Sequence, residues 1–213
     1  MVHIYYHIYA TNGVESIIDE QLNLIKNHFD FPYKLSVGIS IAEDNKSISH
    51  ILNKFNDDVK DVRARGHEFV TLDLIEKDKK KFGDSDYILY LHTKGASKQN
   101  APNYVHIESW RHLMNYFNLE KCKSVINLFE KTSYNTYGIL FGTAGTYRVY
   151  SGNFWWAKAS YIKTIDLGDM KKSRTKAETD FIQKGIDWKP YSPYNREGEN
   201  HYSILFKKED YGI

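Results

Sequence analysis

Tyr87-Ile88-Leu89-Tyr90-Leu91-His92-Thr93-Lys94-Gly95 is the stretch on which the fold turns. Its first five residues are aliphatic or aromatic without a polar interruption, and such a run predicts a strand buried on both faces. Polar residues and a glycine follow at once, so the strand ends in a loop that carries reactive side chains.

Outward from that strand the same grammar repeats. Val2 to Tyr9 holds no turn residue and reads as a buried first strand. Asn12-Gly13-Val14-Glu15 resembles a capping box, after which Val14, Ile17, Ile18, Leu22, Ile25 and Phe29 fall on one helical face. Leu35 to Ala42 predicts a second strand, Ile48, Ile51, Leu52 and Phe55 stripe the next helix, and Thr71 to Lys81 predicts a third. Downstream, Tyr104 to Glu130 reads as one or two helices covering the sheet. Gly138 to Phe141 and Tyr147 to Tyr150 read as strands, Ser160 to Thr164 and Glu178 to Gln183 as short helices, and His201 to Phe206 as a last strand. Alternating strands and helices predict an α/β fold, a central mixed but mostly parallel sheet flanked by helices. Ligands then sit in the crevice beyond the strands' carboxyl ends, which places His92 to Gly95 at the border of the site.

Composition narrows the function. The 213 residues suffice for one α/β domain with a large core, and no repeat, low-complexity tract or Pro/Gly/Ser-rich linker divides them. A single domain over 1–213 is expected, either a whole protein or one module of a longer chain. Twenty-nine basic residues against 27 acidic ones leave a charge of +2, which gives no footprint for nucleic acid. Lys77 with Lys79 to Lys81 reads as a solvated helix end. No run approaches the roughly eighteen apolar residues of a membrane span, and the N-terminus lacks a signal segment, so a soluble protein is expected. The single Cys122 rules out an internal disulfide and suits a reducing, cytoplasmic compartment. Aromatic residues reach 15%, which suits sugar rings as well as cores.

Two runs, Tyr90-Leu91-His92-Thr93-Lys94-Gly95 and Ser151-Gly152-Asn153-Phe154-Trp155-Trp156-Ala157, together with Trp110-Arg111 and Ala177-Glu178, resemble a family of bacterial and large-virus glycosyltransferases. That family includes domains that build capsular or rhamnose-rich polysaccharides and a chlorella-virus domain that decorates capsid glycans. The resemblance implies a GT-A fold, a UDP-sugar as donor substrate, transfer of a hexose or deoxyhexose to a glycan or glycoprotein acceptor, and, for a viral member, the host-cell cytoplasm.

Many GT-A enzymes hold Mn²⁺ or Mg²⁺ with an Asp-x-Asp at the end of a central strand; here that position reads His92-Thr93-Lys94. His92 and the late His201 thereby become candidate metal ligands, while Lys94 is placed to neutralise a diphosphate directly, leaving metal dependence open. The resemblance puts Tyr9, Ala10 and Thr11 at the uracil and ribose, and Glu68 and Thr71 at the start of the helix before the central strand. It puts Thr93 and Gly95 in the diphosphate loop, and Asn153, Trp155 and Trp156 at the sugar and acceptor pocket, with Gly152 letting the backbone come close and one of the two tryptophans expected in the core. Arg111 either reaches phosphate or sugar or makes a surface ion pair. Glu178, with Asp180 in reserve, takes the acid-base role at an acidic helix start; the alternative is a carboxylate answering the helix dipole. A literal Asp84-Ser85-Asp86 lies at the amino end of the strand and reads as a turn, and Asp78 as surface charge. Two rival readings remain: a carbohydrate-binding module without catalysis, and a hydrolase of nucleotide sugars.

Overall fold

The computed structural model describes residues 1–212 except 44–47, 65–66, 145–146, 168–172 and 197. β4 (Tyr87–His92) occupies the middle of a seven-stranded sheet, as an apolar run with no polar face requires. β1 (Val2–Ala10) pairs with it in parallel, β2 (Tyr33–Ile41) pairs with β1 in parallel, and β3 (Val59–Arg63) continues the parallel half to the edge. On the other side of β4 lies β8 (Trp155–Lys158), antiparallel to it, followed by β5 (Thr136–Gly138) and β9 (Pro190–Tyr191). The sheet is therefore mostly parallel, with β8 running against its neighbours.

Strand side chains alternate faces, and both faces are covered. Val2, Ile4, Tyr6 and Ile8 of β1 join Leu89, Leu91 and Trp156 on one face. There they pack on α1 (Glu15–His28), α4 (Tyr104–Asn115) and α5 (Cys122–Lys131), and α2 (Ser49–Phe55) adds Ile51 and Phe55. Tyr5, Ile88, Tyr90, Trp155 and Ala157 point the other way, against α3 (Phe69–Asp78), α6 (Ala159–Ile162) and α7 (Arg174–Thr179). Each buried tryptophan removes roughly 150–250 Å² from water, about 4–6 kcal/mol at 25 cal/mol/Å². The high aromatic content thus goes largely into these two cores, where Trp155, Trp156, Tyr5, Tyr6, Tyr90 and Tyr150 are among the largest buried side chains. No helix among the described residues is long and apolar enough to cross a membrane.

Several elements differ from their sequence-based outline. No side chain caps α1; Gly13 turns the chain at φ +81° and the Val14 N–H donates to the Thr11 carbonyl, so the expected capping box is not used. β3 has no counterpart in the sequence reading because, as an edge strand, it carries Lys60, Asp61 and Arg63 among two valines. The strand expected over Gly138 to Phe141 breaks at Leu140, whose φ of +52° lifts the chain out of the sheet. β6 (Phe141–Ala144) then pairs with β7 (Tyr147–Tyr150) in a separate antiparallel ribbon. Lys77, Lys80 and Lys81 are exposed, as a solvated helix end implies, while Lys79, in the 3₁₀ turn of Lys79 to Lys81, is tied to Glu76 and to the Ile165 carbonyl. His201 to Phe206 forms no strand. β9 occupies that edge of the sheet, and the His201 and Tyr202 rings pack instead against Trp110, with centroids 5.2 and 5.3 Å away.

Candidate active site

β1 and β4 run in register from Val2–Tyr87 to His7–His92, so their carboxyl ends open together. The loop after His92 is stitched to β1 at once. The Thr93 N–H donates to the His7 carbonyl at 3.0 Å, and the Thr93 hydroxyl accepts from the Tyr9 N–H at 2.9 Å. Gly95 turns at φ +90°, where an added Cβ would stand 3.0 Å from Ile107.

Arg111 fixes this loop from behind. Its guanidinium is 1% exposed, donates two bonds to the Glu20 carboxylate at 3.1 and 3.0 Å, and donates a third to the Lys94 carbonyl at 3.2 Å. Burial works to raise the Glu20 carboxyl, but hydrogen bonds from His112 and Arg111 and the Arg111 charge outweigh it and hold the pKa at about 2. Arg111 is thus engaged with Glu20 and the Lys94 carbonyl, in an ion pair that is interior rather than on the surface.

The facing wall comes from the Ser151–Asn153 turn, where two consecutive residues take left-handed backbone, Gly152 at φ +93° and Asn153 at φ +58°. An added Cβ at Gly152 would lie 2.4 Å from the Met114 sulfur, so the backbone's close approach is to the α4 core. The Gly152 carbonyl accepts from His92 Nε2 at 2.8 Å, and its N–H donates to Glu178 Oε1 at 3.1 Å. The Asn153 amide donates to Glu68 and to the Ala177 carbonyl, while its oxygen accepts from the Trp155 indole at 3.1 Å. Tyr90 donates its hydroxyl to Glu68 at 2.9 Å, and burial, with the Glu68 charge, pushes that phenol far above its ordinary range. Two carboxylates, Glu68 and Glu178, are thus both oriented by neutral donors on this wall.

Between the walls lies a cleft of about 190 Å³. Of the expected residues, Tyr9, Glu68, His92, Thr93, Lys94, Gly95, Gly152, Asn153 and Glu178 line it. His7, His67, Lys98 and Tyr202 line it too, and the sequence reading did not single them out. Lys98 lies in the 3₁₀ turn that follows Gly95, and Tyr202 adjoins His201; proximity to residues already chosen was the only available signal. The Lys94 ammonium rests over the Trp110 ring, 3.8 Å from its centroid, with the Tyr202 ring at 5.6 Å. His7 sits at the back, its ring bonded to the Thr71 and Ser40 hydroxyls at 3.1 Å each, and burial pulls its pKa down to about 3.

The remaining expected residues fall elsewhere. Ala10 and Thr11 are buried, their carbonyls accepting from Ala42 and Val14. Thr71 holds His7 and packs on Gly38. Trp155 and Trp156, both fully buried in β8, serve the two cores instead of the pocket. α7 begins after Ser173, whose hydroxyl accepts from the Lys176 N–H, so Glu178 and Asp180 lie at its end and not at its start. Asp180 is buried against Lys176 and Thr179 and does not line the cleft.

The two candidate metal ligands, His92 and His201, line different clefts. His92 lines the first cleft, while His201 lines a neighbouring one, with Nδ1 against the Ser151 hydroxyl at 2.9 Å and Nε2 against the Arg196 carbonyl at 3.4 Å. Among the described residues no three His, Cys, Asp or Glu side chains converge as a metal cage. Asp84 and Asp86 lie at the amino end of β4, as their sequence position implies. Asp86 holds the Gly83 N–H, His3 and the terminal amine of Met1, and Asp84 pairs with Lys163.

A family model described as a domain of unknown function (DUF8361) matches residues 3–204. No curated protein matches the sequence. Among solved structures, the crystal structure of 4-diphosphocytidyl-2C-methyl-D-erythritol synthase is similar at a TM-score of 0.41 and 10% identity, over 98% of this chain and 93% of that one.

Proposed function

The chain belongs to the DUF8361 family, and from its own site we propose that it is a glycosyltransferase moving a hexose or deoxyhexose from a UDP-sugar to a glycan hydroxyl. The observation that carries this reading is a single cleft, at the carboxyl ends of β1 and β4, lined both by ammonium groups and by an oriented carboxylate. Lys94 and Lys98 supply charge for a diphosphate, Glu178 supplies a base, and Glu68 lies on the same wall. Glycosyl transfer needs those two chemistries side by side.

In this reading the acceptor hydroxyl gives its proton to Glu178 as its oxygen bonds to the anomeric carbon. The bond from that carbon to the diphosphate breaks, and its electron pair leaves on UDP, where Lys94 and Lys98 offset the added charge. For Lys94 to meet the diphosphate it gives up a cation–π contact worth about 0.5–2 kcal/mol, a cost the doubly charged leaving group can offset.

A thermal-shift series with UDP, GDP, CMP and dTDP tests the reading. UDP should raise the melting temperature, by the equivalent of about 2.7 kcal/mol at a hundredfold excess over its dissociation constant. Replacing Lys94 and Lys98 together by alanine should abolish the shift. Stabilisation by none of the four at millimolar concentration would overturn the proposal.

A further inference from the structure

A second cleft, of about 730 Å³, borders the first. Ser151 lines it while the next residue, Gly152, lines the first cleft, and Tyr202 lines both. We propose that this second cleft is the acceptor subsite and that it takes an oligosaccharide carrying an acidic group.

Its size lies within the range of small-molecule sites. Tyr202 and Phe141 give it accessible aromatic surface, the chemistry that stacks on sugar rings, and Asn195 gives an amide for hydroxyls. Charge selects the class of saccharide. Among the described residues, Arg148 and Arg196 face one lining carboxylate, Glu199, which pairs with Arg196 at 3.4 Å. Arg148 is exposed, its guanidinium lies 5.5 Å from the Phe141 ring centroid, and no carboxylate of the described residues contacts it. A guanidinium supported on an aromatic face keeps its N–H edge for a carboxylate, which it binds in two-point fashion.

Geometry links the two clefts. Glu178 accepts from the Gly152 N–H, so the carboxylate stands one residue from the boundary with the second cleft. A sugar hydroxyl at that boundary is in place to lose its proton to Glu178 while the rest of the chain lies along Tyr202 and Phe141. The acceptor role rests on the transfer reading above; the preference for an acidic saccharide stands on the second cleft alone.

Titration calorimetry of the whole chain with trigalacturonate and with neutral galactotriose tests this, with and without saturating UDP. Trigalacturonate should bind about tenfold more tightly than galactotriose, the size expected of one charge-assisted contact. Arg148→Gln should remove that preference while leaving galactotriose and UDP affinities unchanged, and UDP should not displace the saccharide. Equal affinities, an Arg148→Gln variant that still prefers the acid, or displacement by UDP would each overturn the inference. Saccharide binding in a protein that ignores UDP would instead sink the transfer reading and leave an acidic-glycan site; UDP binding without saccharide binding would do the reverse.

Discussion

The two ends of β4 carry similar charges and differ in what those charges face. At the amino end, Asp86 is consumed by the Gly83 N–H, His3 and the Met1 amine, and Asp84 by Lys163. At the carboxyl end, Glu178 takes one backbone N–H and Glu68 takes neutral hydroxyl and amide donors, and both line an open cleft beside Lys94 and Lys98. A carboxylate closed off by cations is structural; one oriented by neutral donors at the mouth of a cleft is available for chemistry. The Asp-Ser-Asp spelling lies at the end where the carboxylates are already paired.

The sharpest way to break that contrast is Glu178→Gln. Glutamine can still accept from the Gly152 N–H, so the wall stays built, but it cannot take a proton. Turnover of a UDP-sugar should fall by about 10²–10⁴-fold while the melting temperature stays within a degree or two. Undiminished turnover would remove Glu178 from the chemistry, and glycan binding that persists with no wild-type turnover would favour the non-catalytic module.

Histidines extend the comparison, since His3 stands at the amino end on Asp86 and His7 at the carboxyl end, enclosed by neutral hydroxyls. Burial holds the His7 pKa at about 3, against 6.5 in an unfolded chain. Between those values the unfolded state binds a proton that the native state does not, so acidification favours unfolding. Stability should decline from about pH 6.5 downward, by up to about 1.4 kcal/mol per pH unit from this group. Urea midpoints measured from pH 7 to pH 4 should show the slope, and His7→Asn should flatten it. A smaller loss belongs to Glu20, whose folded pKa of about 2 makes its contribution present above the ordinary carboxylate range and lost only in stronger acid.

Gly152→Ala probes the wall itself. The new Cβ would meet Met114 at 2.4 Å in a left-handed backbone that alanine resists. About 1–3 kcal/mol of stability should be lost in urea unfolding, with the His92 and Glu178 contacts displaced and turnover reduced. A neutral outcome would mean that α4 yields and that the turn does not depend on glycine.

The same contrast explains what was legible in the sequence. β4 could be read because burial on both faces leaves no polar residue in Tyr87 to Leu91, and the loop's place follows from parallel topology alone. β8 could not: Trp-Trp-Ala-Lys is too short an apolar run to separate strand from helix start, and its partners β4 and β5 are distant in sequence. The role of Arg111 was equally hidden, because its burial depends on Glu20, 91 positions away. Glu178 was placed beside the cleft from its motif but at the wrong end of α7, whose start is set by Ser173. Tyr202 lies in an irregular segment where neither period nor turn chemistry marks a residue.

The smallest expected effect falls at the amino end. Asp84 is 85% exposed and its partner Lys163 is itself held by α6, so an exposed pair of this kind contributes about 0.2–1 kcal/mol at most. Asp84→Ala should therefore shift stability within that range, the less so at high salt, and should leave UDP affinity and turnover unchanged with or without Mn²⁺. Turnover that collapsed in Asp84→Ala and was restored by raised Mn²⁺ would mean that the nucleotide binds at the amino end of the sheet. The cleft at the carboxyl end would then have to be read as a saccharide site alone.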